Sequence, residues 1–553
     1  MRHNLLRHFF TRCGALAVSA LVLASGMLNP ASAQTSSTDA VRFLEQASFG
    51  PNAALIERMQ NWSFNDYLKA QFGARISTYP SLPPFDSDSS VGCPTGSDPN
   101  CFRDNYTMYP LQVRFFLNAL YGDDQLRQRV AFALHQIFVV SGVAVVQPSS
   151  MAPYLNLFSR GAFGNFRQLL YDVTVNPAMG AYLNMANNDK RSGGASPNEN
   201  YAREVLQLFT IGLYKLNQDG SLQLDGLGQP IPTYDQNTII GFAKIFTGWT
   251  YAPKPGAASL WTNPEYYLAP MVAFENHHDR SAKPLLNGVT STANVTAKKD
   301  LVFALDNIFN HPNVGPFICK QLIQHLVTSN PSLGYVSRIA AVFNNNGQGV
   351  RGDLSAVVAA ILLDQEARCP DSATCAATTD PNYGHLRDPV LFVTNILRAF
   401  NATSDGIALS DRTRTMGQDP FNPPSVFSYY RPNYIVPGTT ILGPEFTIQT
   451  SSAAIGHANF VNTMVFSRIG TFPAGTGIDL SGLQALAAGD STGAAVVDEL
   501  NRVLMHGTMS TGMRTKVLQT IQALPNATSA DQLKRARWAL YLVATSSQYQ
   551  VAR

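Results

Sequence analysis

Apolar residues recur at three- and four-residue spacing over most of the chain, the signature of amphipathic helices. Short helices are predicted over 38–72. Val41, Phe43, Leu44 and Ala47 line the first, with Thr38 placed to cap it and Gly50-Pro51 to stop it. The same period marks 111–121, 123–140, 163–175 and 177–183. It returns at 235–246, 295–309, 312–328, 333–345, 353–363 and 389–400, and then at 446–466, 494–505, 511–524 and 529–546. A Pro/Ser/Asp-rich loop is expected over 73–105, and a long turn or short hairpin over 217–232. Residues 250–292 hold Pro, Gly, Tyr and Trp with little period and are the best place for strands or a lid; 401–445 is loop-rich. Strand-like alternation is scarce and no fixed-period repeat occurs. The expected class is therefore mainly α, a large multi-helix globular fold with irregular loop insertions and at most a small β element.

One segment breaks the pattern. Residues 198–214, NENYAREVLQLFTIGLY, crowd polar groups onto one face of a helix that is otherwise apolar. Asn200, Arg203, Glu204 and Gln207 share that face, with Glu199 one turn below Arg203. A helix this oily is expected to be buried, with its polar face lining a cleft or an internal network. Two readings fit. Glu199 and Glu204 could form an acid/base pair or an oxygen-rich cation site, with Arg203, Asn198 and Asn200 binding an anionic or hydroxylated group. Alternatively, Asn198 caps the helix, Glu199 complements its positive end, and Arg203 makes a structural ion pair.

A second polar segment, FENHHDRSAKPLLNG (274–288), lies in the irregular region, where binding and catalytic groups often reside. Neighbouring side chains in extended chain point opposite ways, so one histidine at most shares a site with Asp279. His278 is the candidate, as base or ligand with Asp279 orienting it, and Lys283 could hold an anion. A loop held by ordinary His and Asp hydrogen bonds is the alternative. His135, among apolar residues, reads as a core histidine, and Arg127 and Arg129 read as surface or ion-pair residues.

Composition changes the picture at the N-terminus. Arg2, Arg7 and Arg12 precede an apolar run over 13–28 and then Ala31-Ser32-Ala33, the layout of a cleavable secretory signal over 1–33. Those three arginines account for the whole formal excess of +3, so the remaining chain is neutral overall. That charge balance argues against a nucleic-acid surface. No later stretch is long and apolar enough to span a membrane. Residues 34–553 are expected to form a single helical domain, with candidate subdomains 34–215, 216–400 and 401–553, located in the periplasm or outside the cell. Cys93 with Cys101, and Cys369 with Cys375, are spaced for small disulfide loops, while Cys319 sits in apolar sequence as a buried free thiol.

Gly347, Gly349 and Gly352 match a dinucleotide fingerprint but follow a predicted helix rather than a strand, and Asp353 reads as the next helix cap. No zinc-protease helix, nucleophile elbow, Walker loop or haem attachment site is present.

Six segments in order, RFLEQASFGP (42–51), GNFRQLLYDVTVNPAMGAYL (164–183), NENYAREVLQLFTIGLY (198–214), FTGW (246–249), HDRSAKPLLNG (278–288) and GQDPFNPPSVF (417–427), resemble the bacterial exported family catalogued as domain of unknown function 1800. The resemblance spans nearly the whole chain. It implies an exported, mostly helical protein whose gene often neighbours that of a second exported family, a candidate partner, and it brings no settled activity. The family pattern NENxARELLELxTLG has Glu where this chain has Gln207, so no carboxylate is expected there.

The leading expectation is a hydrolase or lyase acting on an extracellular polymer such as a glycan, with a divalent cation as candidate cofactor. Its site would combine Glu199, Arg203, Glu204, His278 and Asp279 as catalytic groups with Asn198, Asn200 and Lys283 as binding groups. The rival is a non-enzymatic envelope or assembly protein acting with the exported partner.

Overall fold

The computed structural model describes residues 35–190, 196–368, 380 and 382–553. The signal expected over 1–33 and the loop expected between Cys369 and Cys375 lie outside these residues. Among those described, the chain is mainly helical, with only two two-residue antiparallel ladders, Trp249–Thr250 with Val272–Ala273 and His385–Leu386 with Val551–Ala552. Thr35–Arg553 is one compact unit. None of the described helices is long and apolar enough to cross a membrane.

Capping chemistry fixes most helix starts. Ser36, not Thr38, caps Ser37–Ala47, because its Oγ accepts from the Asp39 amide at 3.1 Å. Asp235 caps Gln236–Ile245 through the Thr238 amide, and Asp353 caps Leu354–Leu363 through the Ser355 and Ala356 amides. The glycines at 347–352 therefore lead into a helix from an ordinary polar loop.

Gln125–Ile137 is the axis of the fold, with every residue buried, including Arg127, Arg129, His135 and Gln136. Pro148–Gly161, Val314–Leu326, Tyr109–Tyr121 and Phe64–Gly73 surround it. The two arginines are therefore interior groups rather than surface ones.

The hairpin expected over 217–232 forms as two stacked turns, with bridges Leu216↔Leu222 and Leu224↔Pro230. In the region expected to hold strands or a lid, the ladder Trp249–Thr250/Val272–Ala273 and two 3-10 turns are the only regular elements described. Cys93 and Cys101 are bonded, and Cys319 is buried and free.

Candidate functional site

The helix of the signature segment is shorter than its pattern, running Asn200–Gln207. Its end follows from two local features: the Thr210 hydroxyl takes the Val205 carbonyl, and Gly212 turns with φ 74°. Tyr201, Ala202, Val205 and Leu206 bury one face, with the Tyr201 hydroxyl donating to Thr174 Oγ1 at 2.7 Å.

The polar face lies at the surface. Glu199 Oε2 accepts from Arg203 at 2.8 Å and from Gln236 Nε2 at 2.9 Å, with Arg203 42 % and Glu199 29 % exposed. Burial raises the Glu204 carboxyl above its usual range, opposed by the neighbouring Arg203 charge. Asn198 Oδ1 accepts from the Asn200 amide at 2.8 Å, and its own amide donates to Asn188 Oδ1 at 2.8 Å. Asn200 Nδ2 donates to Asn184 Oδ1 at 2.8 Å. The expected lined cleft is thus a half-exposed ion pair and an asparagine clasp on residues 184–188.

His278 and Lys283 are buried. His278 Nε2 meets Asp300 Oδ2 at 3.1 Å, its Nδ1 faces the Thr247 carbonyl at 3.0 Å, and Lys283 Nζ reaches the same Asp300 oxygen at 2.5 Å. All three side chains are at most 1 % exposed. Asp300, not Asp279, is therefore the partner of His278. Asp279 points the other way, accepting from the Ser281 amide and hydroxyl, with Lys244 Nζ 4.0 Å off. Those two serine bonds and the lysine charges hold the Asp279 carboxyl below its usual range, although its burial, the largest influence, pulls upward.

The FTGW segment makes this closure possible. A Cβ on Gly248 would fall 2.8 Å from the His278 nitrogen and 2.9 Å from the Phe274 oxygen. Only glycine allows that approach at φ 81°. His277 departs outward, bonding Asp189 at 2.8 Å and stacking on Trp261 at 4.0 Å.

Among the described residues, no hydrogen bond or ion pair joins Glu199, Arg203 or Glu204 to His278, Asp279 or Lys283. The helix and the loop both attach to Gln236–Ile245, Glu199 through Gln236 and Asp279 through Lys244. Eight residues of helix separate those anchors, about 12 Å along the axis.

A denser ionisable network lies elsewhere, built from residues that sequence patterning does not group. Tyr430 donates to Asp388 Oδ1 at 2.7 Å. His385 Nδ1 stands 3.2 Å from Glu445 Oε1, whose other oxygen accepts from Ser329 Oγ at 2.8 Å. Arg129 donates Nη2 to the His325 carbonyl. Asp388 and Glu445 are each 2 % exposed and Arg129 1 %. Burial raises the Asp388 carboxyl and the Glu445 charge pushes the same way, while His385, Tyr430 and Arg129 oppose them. Burial and the two carboxylates also drive the Tyr430 phenol far up, so it stays protonated.

The network meets a recess of about 530 Å³, counted with its open mouth. Glu445 and Tyr430 line it together with Gln136, Gln324 and Phe427, and Leu208, just past the signature helix, closes one side. Both amide atoms of Gln136 and Oε1 of Gln324 are buried there without a hydrogen-bond partner. Among the described residues, no three His, Cys, Asp or Glu side chains gather as a metal site.

Sequence signals for this network exist but are faint. Arg129 interrupts an apolar helix, HLRDP (385–389) sets three ionisable groups before another, and SYYRP (428–432) extends the GQDPFNPPSVF segment. Their convergence depends on contacts between residues 42 to 196 positions apart.

No curated protein and no solved structure matches the chain. The sequence model of the family described as "Protein of unknown function (DUF1800)" matches residues 42–551, which include the axial helix, the asparagine clasp, the His278–Asp300–Lys283 cluster and the Glu445 network. The chain belongs to that family.

Proposed function

We propose that the protein is a hydrolase or lyase acting on an extracellular polymer such as a glycan, with its chemistry at Glu445 and Tyr430. One observation carries this reading: a buried carboxylate and a buried phenol line the same recess as the unpartnered Gln136 amide. A buried amide with both its donor and its acceptor open suits a ligand rich in hydroxyls or amides. Phe427 offers a ring face for a sugar.

In this reading Glu445, oriented by Ser329 and His385, accepts a proton from water or from a substrate carbon. With Asp388 in its protonated form, Tyr430 donates one to the leaving oxygen as Asp388 passes its own proton to the phenol, and the proton on Glu445 returns to Asp388 through water after product leaves. Glu199, Arg203 and Glu204 lie outside the chemistry.

The test is product release from a panel of polysaccharides by the purified protein, repeated with Glu445→Gln, Tyr430→Phe and Glu204→Gln. General acid–base roles predict about 10²-fold or greater loss of kcat in the first two, measured at a temperature where both remain folded, and no loss in the third. Full activity in Glu445→Gln and Tyr430→Phe, or no product from any polymer, overturns the reading.

The rival, an assembly protein working with an exported partner, has one observation in its favour. The 213–232 segment exposes Leu213, Tyr214, Leu222, Leu224 and Leu227, the last at 87 %. An apolar patch of that kind marks an interaction surface. Co-elution with the neighbouring exported protein that is lost in Leu224→Asp/Leu227→Asp, with no activity on any polymer, would favour it.

A further inference from the structure

Arg129 lines a second recess, about 470 Å³ with its open mouth and largely filled by side chains, leaving space only for small groups. Arg42, Arg387, Arg553, His385 and the acid Glu45 share that lining. Glu45 is already committed. It pairs with Arg387 at 2.7 Å and with His506 Nδ1 at 3.1 Å, and those two partners draw its carboxyl below the usual range although its full burial pulls it up. Arg42 has Asp39 at 3.9 Å.

Arg129 has no such partner. Its Nη2 is used on the His325 carbonyl, while Nε and Nη1 are buried and donate to nothing. Burial lowers it to about 10, so it stays charged at neutral pH. The acid charge acting on it is that of Asp388, whose own carboxyl is raised and whose hydrogen bond comes from Tyr430. His385 Nε2 is also buried and unpartnered in the same wall. A buried guanidinium with open donors costs several kcal/mol unless an anion answers it.

We propose that this recess is a binding site for a small carboxylate, with one oxygen on Arg129 Nη1 beside His385. The site is distinct from the Glu445 recess and stands whether or not that recess is catalytic. The carboxylate can come from a free small acid or from an acidic sugar at a polymer end. A buried guanidinium donor suits either, because both present an ionised oxygen for a charge-assisted hydrogen bond.

Calorimetric titration of the purified protein at constant ionic strength separates the two sources, with acetate in one arm and a glucuronate-ended disaccharide in the other. Chloride serves as the comparison anion. Saturable binding in at least one arm is expected, and Arg129→Lys should weaken it about tenfold or more, since the loss of charge-assisted donors is worth roughly 1.5–3 kcal/mol. Arg129→Met should abolish it; its folding is checked by circular dichroism, because the substitution also removes the Nη2 bond to the His325 carbonyl. Should either variant fail to fold, crystals of the native protein soaked in acetate decide the matter by difference density, with a carboxylate expected beside Arg129. No saturable binding in either arm, equal affinity in Arg129→Lys, or carboxylate density located only elsewhere overturns the proposal.

Discussion

Asp300 is the residue on which the loop of the HDRSAKPLLNG segment depends. One of its oxygens serves both Lys283 and His278, and among the described residues Asp300 is the acid within ion-pair distance of Lys283. Replacing Asp300 by Asn strands a fully buried ammonium, so a loss of about 3–5 kcal/mol is expected in urea unfolding. The double variant Asp300→Leu/Lys283→Met removes both charges and should recover most of that loss. If Asp300→Asn costs under 1 kcal/mol, the ion pair does not hold the loop. Sequence made His278 and Lys283 visible as polar residues in one segment. Their partner was not visible, because Asp300 sits in the first turn of the Ala297–Phe309 helix, where an acid is explained by the helix dipole alone. The same limit applied to Asp279, whose adjacency to His278 suggested a pairing that the alternating backbone directions exclude.

Among elements, periodicity located the long helices well and failed where helix and surface are decoupled. Pro148–Gly161 was not expected, since Pro153 lies inside it and Pro148 opens it. Pro148 is harmless at the first turn, and burial of Met151, Tyr154, Leu155 and Phe158 outweighs the cost of Pro153. This helix forms the aromatic wall around His135, which also touches Phe421. Burial there lowers the His135 pKa to about 4, against about 6.5 in the unfolded chain. Above pH ~6.5 both states are neutral and the group has no effect on stability. As pH falls from there toward 4, only the unfolded chain takes up the proton, so stability is lost. Between pH 7 and 4.5 the loss should be about 2–3 kcal/mol, and His135→Leu should remove that share of the pH dependence. Parallel urea-stability profiles for the two proteins would show that His135 is not neutral in the folded core.

At the scale of the whole molecule, the candidate site depends on closure of the chain's last segment against its middle. Val551–Ala552 pairs with His385–Leu386, the Arg387 amide donates to the Gln550 carbonyl at 2.8 Å, and Arg387 lies over the Tyr549 ring at 4.5 Å. Tyr549 is fully buried, packs on Phe392, and donates to Asn395 Oδ1 at 2.9 Å. No periodic pattern announces such a contact, because it joins residues more than 150 positions apart through a two-residue strand. Yet it sets where His385 and Asp388 stand, and through them Glu445 and Tyr430. Tyr549→Phe keeps the ring and loses one buried hydrogen bond, so about 1 kcal/mol is expected in thermal unfolding, with little change at the site. Tyr549→Ala empties the ring's volume under Arg387, with an expected cost of about 3–5 kcal/mol. It should also loosen the 385–388 segment, measurable as faster amide exchange at Leu386 and Arg387 than in the native protein. Unchanged exchange there in a folded Tyr549→Ala protein would mean that the network is held by Gln125–Ile137 and Ser329 alone, and that the last strand only covers it.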